Sequence, residues 1–128
     1  MDVKLLRSQG VAPRNPRRAF VDEFTLRIGR RATLIPAAGA RSYGMVIALT
    51  HDEILQLYSA PGLEHYRPEA VLAHTMSRDI PALCYNLAEP PAAAEQNPEY
   101  LAKLLSVLRA LKFPPEYISS VARMTSTD

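Results

Sequence analysis

The sequence predicts a single α+β domain over residues 1–124 with a frayed tail at 125–128, and three observations carry that reading. Phe24, Leu26 and Ile28 alternate with Thr25 and Arg27, the period of a strand with one face covered. Ser42-Tyr43-Gly44-Met45-Val46-Ile47-Ala48-Leu49 is short and nearly continuous in apolar residues, which favours a buried strand over a helix. Leu101, Leu104, Leu105, Leu108 and Leu111 recur at helical spacing, the stripe by which a helix packs on a core. A chain of 128 residues has room for one ordinary core and not for two.

The elements follow in order. Val3 to Gln9 reads as one or two helical turns ended by Gly10, a residue that takes the left-handed conformation at low cost. The prolines of Val11 to Pro16 make a loop, and the strand from Ala19 to Ile28 turns at Gly29-Arg30 into Ala32-Thr33-Leu34-Ile35. Pro36 is expected to stop that strand, leaving Ser42 to Leu49 as a separate one in which Gly44 marks a bulge or a close backbone approach. Thr50-His51-Asp52-Glu53 has the spacing of a capping box, so a helix through Ile54, Leu55 and Leu57 should follow, closed by Pro61-Gly62. Glu69 to His74 and Ile80 to Leu87 flank the polar turn Thr75 to Asp79 and form a second hairpin. Ala88 to Gln96 is expected to be a mobile linker. Asn97 then caps a helix with Pro98 in its first position and Glu99 where the helix dipole favours an anion. Pro114-Pro115 breaks it, and Glu116 to Ala122 adds a short last helix.

Composition narrows the function classes. The chain is 48% apolar and 22% charged, with no stretch near the roughly 20 apolar residues of a membrane span, so a soluble, cytoplasmic protein without a membrane partner is expected. Its start lacks the charged and apolar segments of a secretory signal. One cysteine and three histidines, unclustered, point to neither a disulfide nor a metal site, and no cofactor is implied. Cys84, within Ile80 to Leu87, reads as a small hydrophobe and not as a nucleophile. Arg7, Arg14, Arg17, Arg18, Arg27, Arg30, Arg31 and Arg41 crowd the first third. Without Trp and with few Phe to stack on bases they read as a solvated surface, and no nucleic-acid partner is expected.

Four pieces in this order, Ala32-Thr33-Leu34-Ile35-Pro36, Tyr43-Gly44-Met45-Val46, Pro98-Glu99-Tyr100-Leu101 and Pro114-Pro115-Glu116-Tyr117-Ile118, resemble the γ-glutamylcyclotransferase-like family from Gly10 to Val121. The resemblance implies a small, distorted, mixed β-barrel flanked by helices, with a pocket at one end. It also implies a reaction in which a substrate's α-amine attacks its own γ-carbonyl and releases 5-oxoproline. A carboxylate must take the ammonium proton and return it to the leaving nitrogen, while backbone N–H groups hold the developing oxyanion. In the family a Tyr-Gly-Ser-Asn loop supplies those N–H groups and a glutamate before a glycine supplies the carboxylate. The given sequence holds no such loop, and Pro61 stands before Gly62 at the glutamate position. Glu64 is then the candidate displaced base, and Tyr66 and Tyr100, which match family tyrosines, are candidate substrate contacts. Glu69, His74 and His51 read as surface. A small γ-glutamyl or amino-acid-like ligand is the expected partner, and a homodimer would cover the sheet edge that a missing first strand exposes. An inactive ligand-binding or scaffold domain of the same fold stays open as the alternative.

Overall fold

Two hairpins and three helices account for most of the chain, and the computed structural model describes residues 10–59, 63–92 and 94–123. Strands β1 (Arg14–Ile28) and β2 (Ala32–Ala48) form the first hairpin, and β3 (Tyr66–His74) and β4 (Asp79–Leu87) the second. Helix α1 (His51–Tyr58) lies between them in sequence, and α2 (Pro98–Ala110) and α3 (Pro115–Ala122) follow. The strands hydrogen-bond in the order β2-β1-β3-β4, with Phe20 opposite His74 across β1 and β3. In the second hairpin the register runs from Tyr66 opposite Leu87 to His74 opposite Asp79.

The α+β class is as expected, but the barrel is not closed. Among the described residues β2 and β4 are the two edges of a four-stranded sheet, and so few twisted strands span too small an arc to bring their edges together. The expected helix at Val3 to Gln9 and the tail from Thr125 lie outside the described residues, as do Pro61 and Gly62. Gly10 has φ +83, the left-handed conformation read for it.

The chain divides into two compact units. The first takes the described residues up to Val21 together with Gly44–Ala88, and Val11, Ala19 and Ala73 are its buried apolar residues. Here the capping box forms: the Thr50 hydroxyl accepts the Glu53 N–H at 3.1 Å, and Glu53 Oε1 accepts the Thr50 N–H at 2.8 Å. Glu53 Oε2 also accepts the Ala12 N–H at 2.8 Å, tying the incoming chain to the start of α1.

The second unit takes Asp22–Tyr43 and the residues from Glu89 onward. Leu101, Leu104 and Leu108 of the expected stripe are buried, with Phe113, Val121 and Thr33, while Leu105 and Leu111 are half-buried. Asn97 caps α2 by accepting the Tyr100 N–H at 3.0 Å, and its amide donates to the Arg30 carbonyl at 3.2 Å. The segment expected as a mobile linker, Ala88 to Gln96, is tied down at its described residues Ala92 and Glu95. Glu95 accepts the Arg30 N–H at 3.1 Å and the Ala92 N–H at 3.0 Å, and Arg27 donates to the Ala92 carbonyl at 3.2 Å, so the segment straps the tip of the first hairpin.

Pro36 does not stop β2. Because β2 is an edge strand, one side of its backbone needs no partner strand, and a proline without an N–H is tolerated there. Gly44 does not mark a close backbone approach, since a Cβ added to it would meet nothing within 4 Å. The irregular point is Gly39, at φ +77, whose N–H donates to Glu23 Oε2 at 2.8 Å, with Glu23 itself at φ +69.

Candidate functional site

Strand alternation sorts the second hairpin into two faces. Tyr66, Pro68, Ala70 and Leu72 point one way, opposite Leu87, Tyr85, Leu83 and Pro81 of β4. This face is apolar and open, with Leu72 at 49% and Leu83 at 59% exposure. Arg67, Glu69, Val71 and Ala73 point the other way, opposite Asn86, Cys84, Ala82 and Ile80. Ala73 and Asn86, at 2% and 6% exposure, show that this second face is the covered one.

A polar chain runs across the covered face. The Cys84 thiol donates to Asn86 Oδ1 at 3.4 Å, and Asn86 Nδ2 donates to Glu69 Oε1 at 2.8 Å. Glu69 is half-buried, not the surface residue its position in the sequence suggested. Burial, reinforced by the Glu69 charge, raises the Cys84 pKa, which suits an inert thiol and the reading of Cys84 as a small hydrophobe. Next to it, Arg67 Nη1 donates to the carbonyls of Glu64 and Tyr66 at 2.7 and 2.9 Å, which fixes the guanidinium at the head of β3.

The open face begins in an aromatic group. Tyr58, the last residue of α1, stacks on Tyr85 with ring centroids 4.1 Å apart and lies 6.1 Å from Tyr66. Burial, and then the neighbouring Cys84, Tyr85 and Tyr66, push the Tyr58 phenol up to about 12. It stays protonated across the ordinary pH range and can donate a hydrogen bond.

The residues named from sequence fall in different places. Glu64 sits on the exposed turn before β3, five positions ahead of Glu69, and Tyr66 is half-buried in the tyrosine group. Tyr100 belongs to the second unit, on the first turn of α2, 39% exposed, with burial raising its phenol pKa. His51 is exposed, whereas His74 is half-buried, its Nδ1 2.7 Å from Asp79 Oδ1 and its ring 5.0 Å from that of Phe20. Glu53 is committed elsewhere: the N–H groups of Thr50 and then Ala12 lower its carboxyl to about 2. Glu69 was missed because alternation assigns it to a face but does not say which face is covered.

Among the described residues no group of three or more His, Cys, Asp or Glu is placed to hold a metal ion, and no helix is long and apolar enough to cross a membrane. Two arginines of the front third are bound within their own units: Arg14 to Glu53 at 3.4 Å and Arg41 to Asp22 at 2.7 Å.

No family model matches the sequence, and no curated protein matches it. Solved structures do match. YkqA from Bacillus subtilis superposes with a TM-score of 0.75 at 20% identity over 89% of this chain and 45% of that one. A gamma-glutamyl cyclotransferase gives 0.72 at 18% identity over 88% of this chain and 73% of that one. An uncharacterized protein from Homo sapiens gives 0.74 at 19% identity over 91% and 76%. The chain therefore spans less than half the length of YkqA, and at these identities the likeness establishes the γ-glutamyl cyclotransferase fold.

Proposed function

We propose that this chain acts on a γ-glutamyl compound and closes its glutamyl group to 5-oxoproline, releasing an amine or amino acid. The observation that carries the reading is the likeness to gamma-glutamyl cyclotransferase, at a TM-score of 0.72 over 88% of the chain. The chemistry asks little of a protein. The nucleophile and the carbonyl belong to one molecule, so the ring closes without assembling two reactants. What the protein adds is a carboxylate that takes the proton from the α-ammonium and gives it to the leaving nitrogen. The head of β3 offers two, Glu64 on the turn and Glu69 on the covered face.

The test is to incubate the chain with γ-glutamyl peptides and γ-glutamyl amines and to measure 5-oxoproline. Product is expected from at least one class, and none at high protein concentration rejects the reading. A second reading, a domain that binds such a ligand without turning it over, is favoured by Pro61 standing where the family that the sequence resembles carries a glutamate. Thermal stabilisation by a γ-glutamyl compound with no product would select it, because a ligand that binds only the folded state raises apparent stability by mass action.

A further inference from the structure

We propose that Arg67, Glu69 and Asn86, on the covered face of the second hairpin, form the site that takes the amino-acid end of the γ-glutamyl compound. Arg67 binds the α-carboxylate, and Glu69 binds the α-ammonium and accepts its proton. The assignment rests on the functional reading above and names the residues behind it.

Geometry brings the three together. Residues two apart on a strand share a face roughly 6–7 Å apart, and the register sets Asn86 opposite Arg67 and Cys84 opposite Glu69. A cation and a carboxylate are thus presented side by side, the complement of a group that carries an anion and an ammonium on one carbon. Among the described residues, the partners of the Arg67 guanidinium are two neutral carbonyls, both on Nη1. That leaves Nη2 and Nε without a hydrogen bond among the described residues, two donors that could make parallel bonds to a carboxylate.

Glu69 differs from the other carboxylates of the first unit in what is left to it. Glu53 has both oxygens occupied by backbone N–H groups, and Asp79 is paired with His74. Glu64 lies on an exposed turn. Glu69 is half-buried, and its Oε1 is fixed by the Asn86 amide. The Cys84 thiol, by occupying Asn86 Oδ1, sets which end of that amide faces Glu69. Glu69 Oε2 has no hydrogen bond among the described residues and is left for the ligand's ammonium. Asn86 is a positioning residue; Glu69 is the acid and base.

The step balances. Glu69 takes one proton from the α-ammonium, the freed amine nitrogen bonds to the γ-carbonyl carbon, and the bond from that carbon to the leaving nitrogen breaks. The leaving nitrogen receives that proton back from Glu69, so the carboxylate is regenerated, and the ring nitrogen, which keeps one hydrogen as the lactam N–H, gives its second proton through solvent to the released amine, which departs as its ammonium. None of the three residues reads the leaving group, so the site fits γ-glutamyl amines and γ-glutamyl amino acids alike.

The experiment compares the full chain with Arg67→Ala, Glu69→Gln and Glu64→Gln for 5-oxoproline release across pH and for thermal stabilisation by a γ-glutamyl amine. Arg67→Ala, at an exposed position that folding tolerates, should raise KM about tenfold or more with kcat little changed. Glu69→Gln should lower kcat by about 100-fold or more and erase the acidic limb of the pH profile, a change that a merely structural role would not produce. Turnover kept in Glu69→Gln but lost in Glu64→Gln would overturn the assignment and leave the functional reading standing. If the parent chain makes no product but is stabilised by the ligand, and Arg67→Ala abolishes the stabilisation, the reaction falls and the Arg67 site stands. Neither product nor stabilisation overturns both.

Discussion

At the scale of single residues, Glu53 shows how one carboxylate is removed from chemistry by being used for structure. The N–H of Thr50, and then that of Ala12, lower its carboxyl from 4.5 to about 2. The folded value lies below the unfolded one, so these bonds add stability that is fully present above about pH 4.5 and is lost as the pH falls through about 2. The melting temperature of the parent chain should therefore fall more steeply between those pH values than that of Glu53→Gln, and equal slopes would show that the bonds do not persist in solution. Thr50→Ala removes the other half of the box and should cost about 1 kcal/mol in a denaturant titration near neutral pH. The box itself was legible, because its two residues are three apart. The Ala12 bond, across 41 positions, was not, and the same limit hid Glu69, whose partner Asn86 is 17 positions away.

Among the elements, local signals succeeded where the cause was local. Asn97, Pro98 and Glu99 announce α2, and its leucine stripe is the buried face. Leu108, at 0% exposure, should cost roughly 2–5 kcal/mol as Leu108→Ala, against little for Leu55→Ala at 57% exposure on α1. The signals failed where an element's environment decides. A proline ends a strand only if its position needs an N–H, and the place of β2 at the sheet edge is not written near Pro36. The segment from Ala88 to Gln96 looked mobile because its residues are small and polar, yet Glu95 reaches the backbone of a hairpin tip 65 positions earlier. Gly29 lets that strap lie close, since an added Cβ would fall on Pro91 and against Glu95. Gly29→Ala should accordingly destabilise the protein by roughly 1–3 kcal/mol, and hydrogen exchange should then rise at 89–95 more than in β3 or β4.

At the scale of the whole molecule, the sheet has two edges among the described residues, β2 and β4, and β4 is the one whose sequence invites a partner. Among the described residues β4 has a strand on one side only, and nothing from Ile80 to Asn86 is charged. Exposed edge strands ordinarily carry lysines or other charges that discourage pairing, and here Pro81 and the charge of Asp79 at the strand's first position are the blunting features. The open face adds Leu72 and Leu83, so apolar surface and a strand paired on one side among the described residues lie together on one hairpin. A second copy is the partner this combination fits, because an antiparallel strand pairs with itself about a two-fold axis and each copy then covers the other's edge. Sedimentation of the full chain should show a dimer that weakens on dilution. Leu83→Lys should shift it toward monomer while leaving the melting temperature of the dilute protein nearly unchanged, since Leu83 is 59% exposed and its loss removes little core. A monomer at every concentration would mean that the edge is covered from within the chain, and the next measurement would be hydrogen exchange along β4, where protected outward amides would reveal the covering segment.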